Sequence, residues 1–249
     1  MGSEKSQERK VRLNKFLADA GVCARRKADK LIEEGRVKVN GRIARIGMFV
    51  DPEKDRVEVD GKIVKPTRKR YLIFNKPCCV LTQLGKDPRG RKTLDEFLKR
   101  IPERVYPVGR LDYNTTGLLI LTNDGELAQR ILHPRYKLPK VYVALVEGRV
   151  SQKTLKEMKK GTQLEDGFAK PDDVRIIRYE GDNTRLEITF HEGRKHIVKR
   201  YLAKFGHRVK ELHRTQIGPL KLGKLPPGKM REMTKAELNQ LMHAVGLKR

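Results

Sequence analysis

The densest polar stretch lying between apolar ones in this 249-residue sequence is Gly109-Arg110-Leu111-Asp112-Tyr113-Asn114-Thr115-Thr116-Gly117. Arg110 and Asp112 are two apart, so in extended backbone both side chains leave on the same side. Such a pair is either a structural ion pair or a carboxylate held ionised by a neighbouring cation. A short Arg-x-Asp specifies no chemistry alone, because loop aspartates usually cap turns. The three cysteines, Cys23, Cys78 and Cys79, form no CxxC pair, and an odd count gives no disulfide framework. No GxGxxG or Walker loop is present, so no nucleotide cofactor is expected.

The formal net charge of +26 names the kind of partner. Self-repulsion on this scale opposes compaction, and a polyanion relieves it. The excess is +9 within residues 1–70 and +17 in the remainder, so one polyanion along both halves is the natural reading. A Lys-rich surface serving only solubility would need far less charge. Four of the six histidines, His191, His196, His207 and His213, share one stretch without companion cysteines or an HExxH spacing. No metal site is expected there, and the cluster reads as a polar, RNA-facing or solvated surface. The longest aliphatic run, residues 118–121, is far too short to cross a bilayer. Residues 1–10 are charged and lack a secretion signal's apolar stretch, so a cytoplasmic protein is expected.

Residues 1–10 read as a flexible basic tail. Leu13, Phe16, Leu17 and Ala20 predict a short amphipathic helix, and Ala24, Ala28, Leu31 and Ile32 a second. Val37 and Val39 lead into an Asn40-Gly41 turn, and Val57 and Val59 into Asp60-Gly61, both hairpin signals. Residues 11–64 thus make a compact helix-helix-strand unit, and residues 65–70 look like a linker. In residues 71–249, strands are expected at residues 71–74, 118–121, 142–146 and 185–190. Thr93 to Glu96 and Thr234 to Glu237 have capping-box spacing, and Ser151 is placed to cap a third helix. Strands and helices mix without regular βαβ alternation, which favours an α+β mixed sheet over a Rossmann arrangement.

Gly109-Arg110-Leu111-Asp112, continuing through Thr116-Gly117-Leu118-Leu119-Ile120-Leu121-Thr122-Asn123-Asp124-Gly125, resembles the signature of the RsuA/RluB-type pseudouridine synthases. These are bacterial enzymes acting on ribosomal RNA. Asn75-Lys76-Pro77, Lys140-Val141-Tyr142, Glu192-Gly193-Arg194 through Arg200, and Leu212 through Gly218 resemble that family's other motifs, in family order. Ala24-Arg25-Arg26-Lys27-Ala28 and Gly35-Arg36-Val37-Lys38-Val39-Asn40-Gly41 resemble the alpha-L, or S-four-type, RNA-binding domain. The resemblance implies an alpha-L domain at 11–64, followed by a mixed, largely antiparallel catalytic domain at 71–249. It departs at three positions: Ile197 stands for a usual Gln, Cys79 for a usual Gly, and Ala24 for a usual Ser that would cap the second helix.

By that resemblance, Asp112 is the essential aspartate, Tyr142 stacks on the target uracil, Lys199 pairs with the aspartate and Leu212 packs beneath the base. Arg25, Arg26, Lys27, Lys38, Asn40, Arg110, Arg194, Lys195 and Arg200 are expected to contact RNA. The implied reaction breaks N1–C1′, turns the base and joins C5 to C1′, with no cofactor. A carboxylate suits it as nucleophile or as a stabiliser of positive character on the sugar. The loosened base needs an aromatic face and an aliphatic floor, and base–aromatic stacking is worth roughly 1–3 kcal/mol. The target must leave its stack, which is cheapest in a loop or bulge. Read apart from motif order, Tyr142 is a sheet aromatic, Leu212 a core residue and Arg25, Arg26 and Lys27 a solvated helix face. The expected partner is ribosomal RNA or a pre-ribosomal particle, met by a monomer. The stretch from Gly125 to Pro134 leans toward the 23S branch. The rival readings are a non-catalytic RNA-binding or ribosome-assembly factor, and a glycosylase that releases the base.

Overall fold

The computed structural model describes residues 10–247. The chain falls into two compact units, one reaching to Arg70 and also taking in Ile101–Val105 and Asn123–Gly125, the other made of the rest.

In the first unit, helices Leu13–Asp19 and Arg25–Glu33 carry the expected apolar stripes, burying Leu13, Phe16, Leu17, Ala28, Leu31 and Ile32. They share a core with Val37, Val39 and Val57 of a four-stranded antiparallel sheet, in the order Arg42–Ile43, Val37–Val39, Val57–Val59, Lys62–Val64. Asn40-Gly41 and Asp60-Gly61 all have positive φ, as a two-residue hairpin turn of the I′ kind demands. Ala24 occupies the N-cap of the second helix with no side-chain hydrogen bond, the loss its type implies. The basic segment before Tyr71 is pinned and not free. The Asn123 side chain accepts from the Arg70 N–H and donates to the Arg68 carbonyl, both at 2.8 Å, and Arg70 pairs with Glu103 at 2.7 Å.

The second unit is built on a nine-stranded sheet. Its main order is Asp173–Glu180, Asn183–Phe190, Lys140–Val146, Val209–Ile217, Thr116–Thr122, Tyr71–Lys76, Met230–Glu232, with Leu220–Lys221 and Tyr106–Val108 as short additions. Every pairing is antiparallel except one, in which His213 and Arg214 run parallel to Thr116 and Gly117. Residues 118–121 are buried completely, which is why that strand reads as a continuous aliphatic run. Gly117 makes the parallel contact possible. Its φ is +107°, and a Cβ there would lie 2.2 Å from the Arg214 carbonyl oxygen.

Two of the three expected helix caps form. Ser151 accepts from the Thr154 N–H, and Thr234 and Glu237 make a full capping box. The box expected at Thr93 does not form: the helix is the single turn Asp95–Leu98, with none of its residues buried. Thr93 is instead buried and bridged to Leu81, so tertiary strand contact has outcompeted the cap.

Candidate active site

Asp112 sits in the loop between strands Tyr106–Val108 and Thr116–Thr122, and its backbone is fixed from three directions. Thr82 Oγ1 donates to the Leu111 carbonyl at 2.6 Å and accepts from the Leu111 N–H at 3.2 Å. The Thr115 N–H closes a turn onto the Asp112 carbonyl at 3.0 Å. Lys76, fully buried at the end of its strand, donates to the carbonyls of Pro77, Tyr113 and Thr115 at 3.1, 3.2 and 2.9 Å. Burial pushes the Lys76 ammonium down to about 8. A carbonyl cage that neutralises no charge explains why its solvation is not fully replaced.

The carboxylate meets two partners, both from the segment that opens helix Ile197–Lys204. Lys199 Nζ lies 3.3 Å from Asp112 Oδ2, and His196 Nε2 lies 3.2 Å from Oδ1. Lys199 also donates to Asn114 Oδ1 at 2.6 Å, so one ammonium spans two residues of the loop. His196, at the N-cap of that helix, has φ +53°. A non-glycine residue in that region is uncommon, and here it aims the imidazole at Asp112. The expected partner Arg110 is exposed and makes no ion pair among the described residues. The ion pair offered by the two-residue spacing does not form, and the cation beside Asp112 is Lys199 of helix Ile197–Lys204, the residue the family resemblance gave that place.

Tyr142, on strand Lys140–Val146, is 9% exposed and faces the same cleft as Asp112. Arg214 pairs with it across the strands, with the guanidinium carbon 5.9 Å from the ring centroid. Arg214 is itself buried and anchored by a 2.8 Å bond from Nε to the Leu118 carbonyl. Leu212, two residues earlier on the same strand, also lines the cleft, whose volume is about 660 Å³. Arg110, Lys195, Lys199 and Arg214 give its walls an excess of positive charge. The four side chains Asp112, Tyr142, Lys199 and Leu212 are thus brought together.

The remaining sequence-predicted residues divide. Arg25, Arg26, Lys27 and Lys38 are exposed and make no ion pair among the described residues, as does Lys195 at the cleft. Asn40 is a turn residue whose amide is spent within its own unit, donating to Asp55 at 2.9 Å and accepting from the Arg56 N–H at 2.8 Å. Arg194 and Arg200 are also committed internally. Arg200 clasps Asp166 through both Nη atoms at 2.9 and 2.7 Å. Arg194 pairs with Glu192 at 2.7 Å and with Asp166 at 2.9 Å. Their work is to hold the hairpin of Thr162–Leu164 and Gly167–Ala169 against the segment carrying His196 and Lys199.

The expected histidine surface does not exist as one feature. His207 is buried and bonded to the Glu147 carbonyl, His213 is half-buried against Thr116 Oγ1, and His191 pairs with Asp172. Only His196 reaches the cleft, a role that spacing could not reveal because it depends on one left-handed residue. Cys79 has φ +61°, a region that favours glycine, the residue the resemblance gives as usual there.

A loop carboxylate, a paired ammonium and a buried aromatic thus share one basic cleft on the mixed sheet. Residues 70–204 match the RNA pseudouridylate synthase family and residues 11–57 match the S4 domain. The chain belongs to the RNA pseudouridylate synthase family. It is 73% identical to an "uncharacterized RNA pseudouridine synthase" of Aquifex aeolicus, over 96% of each chain. It is 40% identical to ribosomal large subunit pseudouridine synthase B of Bacillus subtilis, over 92% of this chain and 95% of the relative. A crystal structure of a pseudouridylate synthase superposes with a TM-score of 0.63 at 29% identity, over 93% of this chain and 99% of the other. The protein is an RNA pseudouridine synthase with an N-terminal S4 domain, and its substrate is RNA. No helix among the described residues is long and apolar enough to cross a membrane.

Proposed function

We propose that this enzyme isomerises one uridine of large-subunit ribosomal RNA, in the cytoplasm and as a monomer, with Asp112 as its catalytic carboxylate. The observation that carries the reading is Asp112 itself, held between Lys199 and His196 in the cleft that also contains Tyr142 and Leu212. The Lys199 ammonium sits on one carboxylate oxygen and the His196 imidazole on the other, which orients the group for attack on C1′ or for stabilising a cationic sugar. The uracil, once N1–C1′ is broken, stays between the Tyr142 ring and the Leu212 side chain while it turns. The new C5–C1′ bond then forms, C5 gives up its proton and the freed N1 takes one up, so that the product is an isomer of the substrate. The reaction is redox-neutral and calls for no cofactor.

The large-subunit assignment is supported by relatives in Bacillus subtilis and Pseudomonas aeruginosa named ribosomal large subunit pseudouridine synthase B. Arg25, Arg26, Lys27 and Lys38 suit phosphate contact in the S4 unit, and Arg110 and Lys195 suit it around the cleft. The test is Asp112→Asn, which preserves shape and removes the charge. Pseudouridine mapping on ribosomal RNA should show no product, while RNA affinity stays within about twofold. Turnover at the parental rate would exclude Asp112. Abasic RNA instead of the isomer would identify a glycosylase, and binding without turnover by the parent would leave an assembly factor.

A further inference from the structure

Cys78 and Cys79 are both exposed, and their sulfur atoms lie 3.0 Å apart. In an ordinary strand, adjacent side chains point to opposite faces. The left-handed Cys79, at φ +61°, turns its thiol back to the side of Cys78. The pair also bears on the catalytic loop, because the Cys79 N–H donates to the Tyr113 carbonyl at 2.9 Å. That carbonyl also accepts from Lys76, so the residue after Asp112 is held by two donors from one short segment. The isomerisation as proposed above uses neither thiol.

We infer that Cys78-Cys79 is a reversible thiol–disulfide site, taking low-molecular-weight disulfides as its reagent, whose oxidation displaces the Asp112 loop. The loop's catalytic importance rests on the proposed function. The Cys78 thiolate attacks an incoming disulfide, forming a mixed disulfide and releasing one thiol. The Cys79 thiolate then attacks the Cys78 sulfur, closing the ring and releasing the second thiol. The protons lost by the two cysteines end on the two released thiols, and the two electrons reduce the reagent. Adjacent Cα atoms are about 3.8 Å apart, below the usual range of about 4.4–6.8 Å for a disulfide, so the ring is strained and easily reduced. Closing it reorients the peptide at Cys79 and weakens the bond to Tyr113. Cys23 is buried in the other unit and provides an internal control.

The experiment treats the full-length protein with oxidised glutathione, then reads intact mass, the 78–79 peptide, hydrogen exchange of residues 110–116 and pseudouridine formation. Loss of two hydrogen masses at Cys78-Cys79 is expected, with faster exchange of the loop and at least tenfold lower turnover, all reversed by dithiothreitol. Cys79→Gly suits the left-handed backbone, so it and Cys78→Ser should keep the untreated rate and lose the sensitivity. A stable mixed disulfide without ring closure would overturn the inference, as would a closed ring with unchanged loop exchange. An untreated protein that makes no pseudouridine would instead refute the proposed function, with mass and exchange still deciding the thiol site.

Discussion

Lys76→Met is the sharpest probe of how the active-site loop is held. The variant keeps most of the side-chain volume and deletes an ammonium that donates to three buried carbonyls. Hydrogen bonds to a charged group are worth about 1.5–3 kcal/mol each, giving about 5–9 kcal/mol for three before any opposing cost. Against this stands the burial that takes Lys76 from 10.5 to about 8, equivalent to about 3 kcal/mol. The net loss expected is about 2–6 kcal/mol, read by urea unfolding. Turnover should fall on the order of a hundredfold, because Tyr113 and Thr115 flank the turn that aims Asp112. Tritium release from RNA carrying 5-tritiated uridine measures that rate, since C5 loses its hydrogen in the reaction. The parent should also show an alkaline decline with an apparent pKa of about 8, because a neutral amine has only two N–H donors for three carbonyls. Stability should move the other way. A lysine with a folded pKa below its unfolded value binds fewer protons folded than unfolded between about 8 and 10.5, so the burial cost fades as pH rises through that window. Parental stability and turnover in Lys76→Met would refute this account of the loop.

Three further outcomes follow from the same structure. Replacing Arg25 and Arg26 with alanine should weaken RNA binding and lower the salt slope by about 0.7–0.9 per lost phosphate contact, with turnover at saturating RNA unchanged; an unaltered slope would remove them from the interface. Gly117→Ala should destabilise the catalytic unit by more than about 3 kcal/mol in urea unfolding, because its Cβ has no room beside the Arg214 carbonyl. Glu237, bonded to Arg231 and to the Thr234 N–H, is held down to about 2. Its contribution is complete above its unfolded pKa and is lost as pH falls through about 2; acid unfolding of Glu237→Gln should lack that dependence, and Thr234→Ala should cost about 1 kcal/mol.

Local signals carried much of this architecture. The buried strand through Leu118, the alternation at Tyr142, Ala144 and Val146, and the two hairpin turns each rest on neighbours within a few residues. The site was legible as a set of motifs in order, and Asp112, Tyr142, Lys199 and Leu212 do converge on one cleft. What spacing could not show were roles assigned by distant partners. Arg110 looked like the cation for Asp112, yet Lys199 holds that place from 87 positions further along. Arg194 and Arg200 share Asp166 as a partner that spacing could not show, and Thr93 had a cap's spacing but a strand's contacts. The histidines failed for the same reason, since their common stretch of sequence scatters to four environments.

Within the nine-stranded sheet, the one parallel pairing, of Thr116-Gly117 with His213-Arg214, has a temporal meaning as well as a spatial one. It joins segments 97 residues apart, through Thr116 and His213, and so closes late in any folding order that rewards nearby contacts first. During synthesis, Asp112 leaves the ribosome long before Lys199, Leu212 and Arg214 do. Until those arrive Asp112 lacks its Lys199 partner, and the cleft lacks the sides that Leu212 and Arg214 supply.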